Sequence, residues 1–314
     1  MASEFEKRCE CARCRSCGKQ GLVPVIDLGS MPPSDRLLTR ENLTEDEAAF
    51  PLELAFCEQC ALVQILETVP ADFLFSNQYL YFSSFSESLL KHSRDNALEL
   101  IESQSLDSSS LVMELASNDG YLLKNFVQAG IPVQGIDPAP KQASNANSIG
   151  VPTINDFFSS ELASKLKKEG KQADVIIANN VVAHVSDPHD FIEGISILLK
   201  PSGIASVEFP SVRELVDHLE FDTIYHEHLC YFSLISADWL FRRHGLYIND
   251  VREYPIHGGS FRLYIGKTEN PTKELIEYRE RERKLGLDRA DYYKAFAERV
   301  LKNRILLRRL LKDL

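Results

Sequence analysis

The chain has 314 residues, a formal net charge of −11 and 44% apolar residues. That length predicts two domains, or one with appendages, with ample material for a core. The acidic balance argues against a nucleic-acid partner, which needs a basic face. No apolar run reaches about eighteen residues, so no membrane span is expected. The opening Met1-Ala2-Ser3-Glu4-Phe5-Glu6 has no apolar signal region, which makes a cytoplasmic protein the default.

Six of the seven cysteines precede residue 61. Cys14-Arg15-Ser16-Cys17 and Cys57-Glu58-Gln59-Cys60 form two C-x-x-C knuckles with 39 residues between them. Each knuckle presents two thiolates to a tetrahedral ion, so together they close a four-sulfur site, read as structural zinc. A closed site leaves no position open for substrate, so its role is in folding. Cys9 and Cys11 are spare, or alternatives to Cys14. Phe50 to Phe56 alternates like a strand leading into the second knuckle. Residues 70–87 are rich in aromatics, most of them read as packing between subdomains, with Tyr79 and Tyr81 able to face a ligand. Residues 87–104 read as an amphipathic helix.

Residues 111–210 alternate strand and helix, which predicts an α/β fold with a parallel sheet and right-handed crossovers. The first strand ends in Glu114, and the turn Ala116-Ser117-Asn118-Asp119-Gly120 leads into a helix, its polar side chains able to accept from the helix's first N–H groups. Gly120 permits close approach of backbone to a ligand. Seventeen residues on, the second strand ends at Asp137, where a carboxylate suits a ribose diol. Asp156 and Phe157 close the next strand and can hold an adenine by one hydrogen bond and one stacking face. The strand Ala173 to Asn180 ends in amides. Three successive strand ends closing on polar residues favour a nucleoside-type cofactor over a plain sheet. Lys200 to Gly203 reads as a turn before the strand Ile204 to Pro210.

The densest polar cluster is Tyr225-His226-Glu227-His228. A histidine moves protons near neutral pH, and a nearby carboxylate can orient it. A His-x-His metal site and histidines merely bonded to backbone are the competing readings. Next, His257-Gly258-Gly259-Ser260 can offer N–H groups to an anion with Arg262 nearby, or can be a plain glycine turn. Residues 271–314 read as one long charged helix whose apolar stripe needs a partner surface.

These motifs, together with Tyr79 to Ser86, Ala178 to Val185 and Glu220 to Ser233, resemble the sugar C-methyltransferases of deoxysugar biosynthesis, from the first knuckle to about residue 310. The resemblance implies S-adenosylmethionine as cofactor and a nucleotide-linked 4-keto sugar as substrate. It implies a Rossmann-like methyltransferase sheet over residues 71–210. A small zinc-binding domain would occupy 1–70, and a partial C-terminal substrate domain 211–314. Glu114, Ala116, Asn118, Gly120, Asp137, Asp156, Phe157 and Asn179 would line the cofactor pocket, and Cys14, Cys17, Cys57 and Cys60 would hold zinc. His228 would be the base, assisted by Glu227 and Tyr225, with Tyr79 or Tyr81 completing the site. His226, His257, Arg262 and Glu208 would meet the substrate. The sequence departs from the family at Ala116, where glycine is usual, and in lacking the family's further C-terminal segment, so a partner or that missing segment is a possible requirement. An inactive homologue, and a zinc-ribbon methyltransferase acting on RNA or protein, are the competing classes.

Overall fold

The computed structural model describes residues 2–312, except residue 36 and residues 75–79. The chain opens with α1 (Glu4–Cys11), β1 (Val23–Met31), β2 (Phe50–Phe56), β3 (Val63–Ile65) and the short α2 (Ala71–Leu74). An alternating stretch follows: α3 (Glu87–Ser103), β4 (Val112–Leu115), α4 (Lys124–Gln128), β5 (Val133–Ile136), α5 (Pro140–Ser148), β6 (Thr153–Ile154), α6 (Ser160–Lys168), β7 (Ala173–Asn179), α7 (Pro188–Leu198) and β8 (Leu199–Pro210). Then come α8 (Val212–His218), β9 (Cys230–Tyr231), α9 (Leu234–Arg242), β10 (Tyr247–Tyr254), β11 (Ser260–Gly266), α10 (Lys273–Leu285) and α11 (Ala290–Lys312).

Two sheets organise these elements. The larger has the order β10-β11-β8-β7-β4-β5-β6. Its run from β8 to β6 is parallel, and β11 and β10 add to β8 antiparallel. Strand β4 and most of β7 are buried, as strands covered by helices on both faces must be. This is the expected α/β sheet, although it crosses the expected limit at residue 210 by recruiting β10 and β11. The smaller sheet, β1-β2-β3-β9, is antiparallel and takes its last strand from far down the chain.

Three local expectations are corrected. Lys200 to Gly203 is no free turn: it lies inside β8, where the register against β7 shifts between Ala173 and Val175. The loop after β4 does not enter a helix directly, since helical geometry begins only at Lys124. Its polar residues therefore do not cap that helix. The long helix expected over residues 271–314 is two. Gly286, at φ +89°, ends α10, with Leu287 N–H returning to the Glu282 carbonyl at 3.1 Å.

That break lets both helices pack. On α10, the buried Glu282 carboxylate accepts the N–H groups of Leu234 (2.9 Å) and Ile235 (3.0 Å) at the start of α9. On α11, Tyr293 stacks its ring on Phe56 of β2 at 4.7 Å, and Phe296 and Val300 are buried beside it. The later apolar positions of α11, Leu301, Ile305, Leu306 and Leu310, are exposed. No helix among the described residues is long and apolar enough to cross a membrane.

Gly286 carries the corner alone. A Cβ there would sit 2.7 Å from the Arg289 guanidinium, in a left-handed backbone. Gly286→Ala should therefore cost about 1–2 kcal/mol, measured as a lowered midpoint in denaturant unfolding.

Candidate active site and metal centre

Four sulfurs gather at the edge of the smaller sheet. The Sγ atoms of Cys14, Cys17, Cys57 and Cys60 all lie within 4.8 Å of one another, with Cys14–Cys60 and Cys17–Cys57 each at 3.4 Å. Sulfurs bound tetrahedrally at about 2.3 Å from zinc stand roughly 3.8 Å apart, so the cluster is of the right size. Such close thiols compete for protons: hydrogen bonding with Cys57 pushes Cys14 up to about 12, and the same contact pulls Cys57 down. A dication bound to thiolates removes that competition. Cys9 is buried outside the cluster and Cys11 is exposed.

The second constellation lies beyond the carboxyl ends of β4, β5 and β7. The loop after β4 is held open by left-handed residues, Ala116 (φ 56°), Asn118 (φ 49°) and Gly120 (φ 78°). Ser117 N–H bonds the Ile136 carbonyl at 3.1 Å, tying the loop to β5. Asp137 Oδ2 accepts Asn118 N–H at 2.7 Å, and its Oδ1 accepts Ala139 N–H at 2.9 Å. The expected ribose ligand is thus already fixed by backbone, one donor on each oxygen, with a second lone pair left on each.

The loop leaves a set of buried polar atoms without hydrogen-bond partners: Glu114 Oε2, Ser117 Oγ, both Asp119 carboxylate oxygens, Asn179 Oδ1 and Asn180 Oδ1. Buried groups of this kind are normally satisfied, so the cluster is shaped for a ligand. Its charge indicates which kind. Burial and the neighbouring Asp137 and Asp119 push the Glu114 carboxyl well above the usual range, and burial pushes Asp137 up to about 6. Three buried carboxyls facing one another suit a cationic ligand with hydrogen-bond donors. Asp119 and Asn180 were not among the expected cofactor residues. Their adjacency to Asn118 and Asn179 in the two loops was the available signal.

Above this loop runs the segment from Leu80 to Ser86. The Asn118 amide holds it from both sides: Oδ1 accepts Ser83 N–H at 3.0 Å and Nδ2 donates to the Tyr81 carbonyl at 3.3 Å. Gln142 on α5 donates to the same carbonyl at 3.0 Å. Tyr81 is half exposed, while Tyr79 lies outside the described residues. Gly120 serves differently from expectation. A Cβ there would meet Val151 at 3.1 Å and Ala146 at 3.3 Å, so its smallness serves packing rather than approach to a ligand. Asp156 and Phe157 are exposed at the end of β6, with Asp156 Oδ1 accepting Phe157 N–H at 2.8 Å.

The Tyr-His-Glu-His run forms a turn before β9, and its members part ways. His228 Nδ1–H donates to the Thr223 carbonyl at 3.1 Å. Its Nε2 then carries the lone pair, which accepts the Tyr225 hydroxyl at 2.9 Å. Burial pushes His228 down to about 4, so the ring is neutral at physiological pH. Burial likewise lifts the Tyr225 phenol, so it stays a donor. The His184 ring stands across from His228, centroids 4.7 Å apart. His184 belongs to the stretch Ala178 to Val185, which runs on from the end of β7.

Four expectations for this region change. Glu227 does not orient His228, since the Thr223 carbonyl takes that place. Instead Glu227 is buried beside Asp35, and burial pushes it up to about 8, which makes it a protonated donor at neutral pH. His226 is buried, with Nε2–H donating to the Phe50 carbonyl at 3.1 Å, so it is committed to the N-terminal sheet. Arg262 and Glu208 are directly opposed across β11 and β8 and pair inside the protein, 2.6 Å apart and both 1% exposed. Arg262 also reaches Tyr254 Oη at 3.2 Å and His92 Nε2 at 2.9 Å, and His92 reaches Glu208 at 2.8 Å. Although burial alone would raise Glu208, His92 and Arg262 hold its carboxylate low. Buried and paired with Glu208 and Tyr254, this guanidinium is not presented to a phosphate at the surface. Nor does the glycine turn make an anion cradle. A Cβ at Gly258 would meet the Glu220 carboxylate at 2.4 Å, and one at Gly259 would meet Glu214 at 2.6 Å. His257 is exposed there at φ 52°.

Comparison with known proteins accords with both constellations. Three family models match the chain: a zinc binding domain over residues 14–75, a methyltransferase domain over 86–251 and a C-methyltransferase C-terminal domain over 255–314. That last match puts at least part of a family C-terminal domain on this chain. The C-methyltransferase NovU of Streptomyces niveus is 34% identical over 302 residues, covering 95% of this chain and 72% of NovU. Among solved structures, magnesium protoporphyrin IX methyltransferase from Synechocystis aligns over 57% of this chain and 83% of its own, at 15% identity and TM-score 0.46. The PH0226 protein from Pyrococcus horikoshii aligns over 61% and 95%, at 19% identity and TM-score 0.46. The sulfur cluster is thus a structural zinc site, and S-adenosylmethionine is the chain's cofactor.

Two outcomes follow from the cradle. Both carboxyls are raised by burial, so a bound sulfonium or ammonium would expel whatever proton they hold. S-adenosylmethionine affinity should therefore rise with pH through about 6, and binding near pH 6 should release protons. Calorimetry in buffers of different ionisation enthalpy reads this directly, and neutral S-adenosylhomocysteine should release fewer. Separately, Ala116 pays for its left-handed backbone. Ala116→Gly should leave the fold unchanged and raise stability by up to about 1 kcal/mol in denaturant unfolding.

Proposed function

This chain belongs to the C-methyltransferase family, and we propose that it methylates a carbon beside the ketone of a nucleotide-linked 4-keto sugar. The observation that carries this reading is the His228 ring, neutral, with Nδ1 committed to Thr223 and Nε2 turned to Tyr225. A carbon next to a ketone is acidic enough to lose a proton when the enolate oxygen is held by donors. His228 Nε2 takes that proton. Its lone pair is shared with the Tyr225 hydroxyl in the resting chain, so the substrate hydrogen displaces that hydroxyl. The freed O–H then donates to the enolate oxygen. Glu227, protonated at neutral pH, supplies a second donor.

When bound, S-adenosylmethionine supplies a methyl group on a positive sulfur, an acceptor for a carbanion. Glu114, Asp119 and Asp137 supply the negative surroundings for that charge, while Asn179 and Asn180 offer their amides at the end of β7. Tyr81, in the Leu80–Ser86 segment held by Asn118, is the tyrosine that would complete the site. A cytoplasmic setting, which keeps the four zinc thiolates reduced, suits this reading. A second reading, cofactor binding without turnover, is favoured by one observation: Ala116 occupies a left-handed position where glycine costs less.

The test uses 4-keto sugar nucleotides in deuterated buffer. The wild-type chain should exchange the hydrogen beside the ketone and transfer the methyl group. His228→Ala should lose about a thousand-fold in both while binding S-adenosylmethionine normally. The acid limb of kcat/KM should fall near the His228 value of about 4, and not near 6.5. Full turnover by His228→Ala would overturn the assignment, and cofactor binding without any turnover in the wild type would establish the second reading.

A further inference from the structure

His189 lies outside both constellations yet touches the frame of each. It stands at the start of α7, where the Asp187 side chain caps the helix by accepting the N–H groups of His189 (3.0 Å) and Asp190 (3.2 Å). Its ring is held at both nitrogens. Nε2 lies 2.6 Å from the carbonyl of Ser16, the residue preceding the zinc ligand Cys17, and Nδ1 lies 2.9 Å from His244 Nε2. A carbonyl only accepts, so Nε2 carries hydrogen and Nδ1 receives the His244 N–H. The first knuckle grips the same segment a second time, through Arg15, whose guanidinium reaches the Ser186 carbonyl at 3.5 Å.

Between these grips and β7 lies His184. The 183–189 segment is also tied to the segment after His228, since Leu229 N–H bonds the Ala183 carbonyl at 2.8 Å. From the other side, Arg15 N–H bonds Gln64 Oε1 at 2.8 Å, and Gln64 pairs with Cys230 across β3 and β9. The knuckle thus grips residues 186–189 directly and reaches the strand after His228 through Gln64, and these are the two segments whose rings, His184 and His228, face each other at 4.7 Å.

We propose that His189 is a positioning residue through which the first zinc knuckle sets the spacing of the His184 and His228 rings. The proposal rests on the reading of His228 as the base only for its effect on turnover, not for the mechanical coupling. The Ser16 carbonyl lies inside the C-x-x-C turn, so its direction is fixed once Cys14 and Cys17 share an ion. His189 converts that direction into a fixed start for α7, and the short segment before it has little room to drift.

The experiment compares full-length, zinc-loaded chains carrying His189→Ala or His189→Gln. Glutamine keeps an N–H donor at the reach of Nε2; alanine does not. Histidine ring signals are followed by long-range proton–nitrogen correlation, alongside zinc content, S-adenosylmethionine affinity and turnover. In His189→Ala the His184 and His228 ring signals should shift or broaden, with one zinc per chain and cofactor affinity unchanged. The kcat should fall at least about ten-fold with little change in KM. His189→Gln should restore both the signals and most of kcat. If His189→Ala fails to fold with zinc, His244→Ala, which frees Nδ1 only, should shift the same two rings to a smaller extent. Ring signals identical to wild type in every folded variant would overturn the proposal. Shifted rings in a chain whose turnover survives His228→Ala would instead uphold the coupling and sink the assignment of the base.

Discussion

Two rungs of antiparallel ladder, Val63 opposite Tyr231 and Gln64 opposite Cys230, hold the whole arrangement together. They lie just beyond His228 in the chain and just beyond Cys60, so they bring a metal-stiffened sheet against the turn that carries the imidazole. Without them the N-terminal sheet would have no edge on which to seat residues 225–231. The pairing is short, but it is buried and flanked by packing. Leu229, Phe232, Val63 and Ile65 are all nearly inaccessible, so the rungs are defended from water on both faces. The helix α11 closes the same sheet from behind through Tyr293 on Phe56.

What could be read from the sequence divides along one physical line. Features fixed by neighbours in the chain were legible. The cysteine spacing within each knuckle, the polar closures of β4, β5 and β7, and the extent of α3 all follow from local geometry. Features fixed by distant partners were not. Arg262 looked free because Glu208 stands 54 residues away, and only the β8–β11 register makes them face each other. His226 and His228 looked equivalent in a row of polar residues. A turn sends one toward Phe50 and the other toward Thr223, a choice set by the N-terminal sheet and invisible in the motif. Glu227 looked like a partner of the histidine, and its protonation by burial beside Asp35 depends on a loop from the first forty residues. The split at Gly286 was the reverse case. The glycine was in plain view, but the charge pattern on either side continued with helical spacing and hid the corner.

The two polar centres illustrate opposite uses of burial. Around Glu208, opposite charges and a histidine satisfy one another, and the cluster joins α3 to β8 and β11. Such a group is costly to disturb, because removing one partner strands the others away from water. Around Glu114, like charges are buried together with no cation among the groups that perturb them. That arrangement is unfavourable by itself and persists because the sheet and the left-handed loop impose it. A bound positive charge would relieve that repulsion.

The Asn118 amide spends its acceptor on Ser83 and its donor on Tyr81. No other side chain can be written at that position without loss. Aspartate has the same outline but would set an oxygen against the Tyr81 carbonyl; leucine fills the space but offers neither bond; glutamine is one methylene too long for both. The position is further confined by its left-handed backbone, which asparagine tolerates better than most residues. Sequence drift at this point is therefore restricted twice over, by chemistry and by conformation. The outward face of α5 beside it, with Lys141, Ser144 and Ser148 exposed, is free to vary. In a set of descendants from this chain, the asparagine should mark which copies still fasten the Leu80–Ser86 segment to the loop after β4.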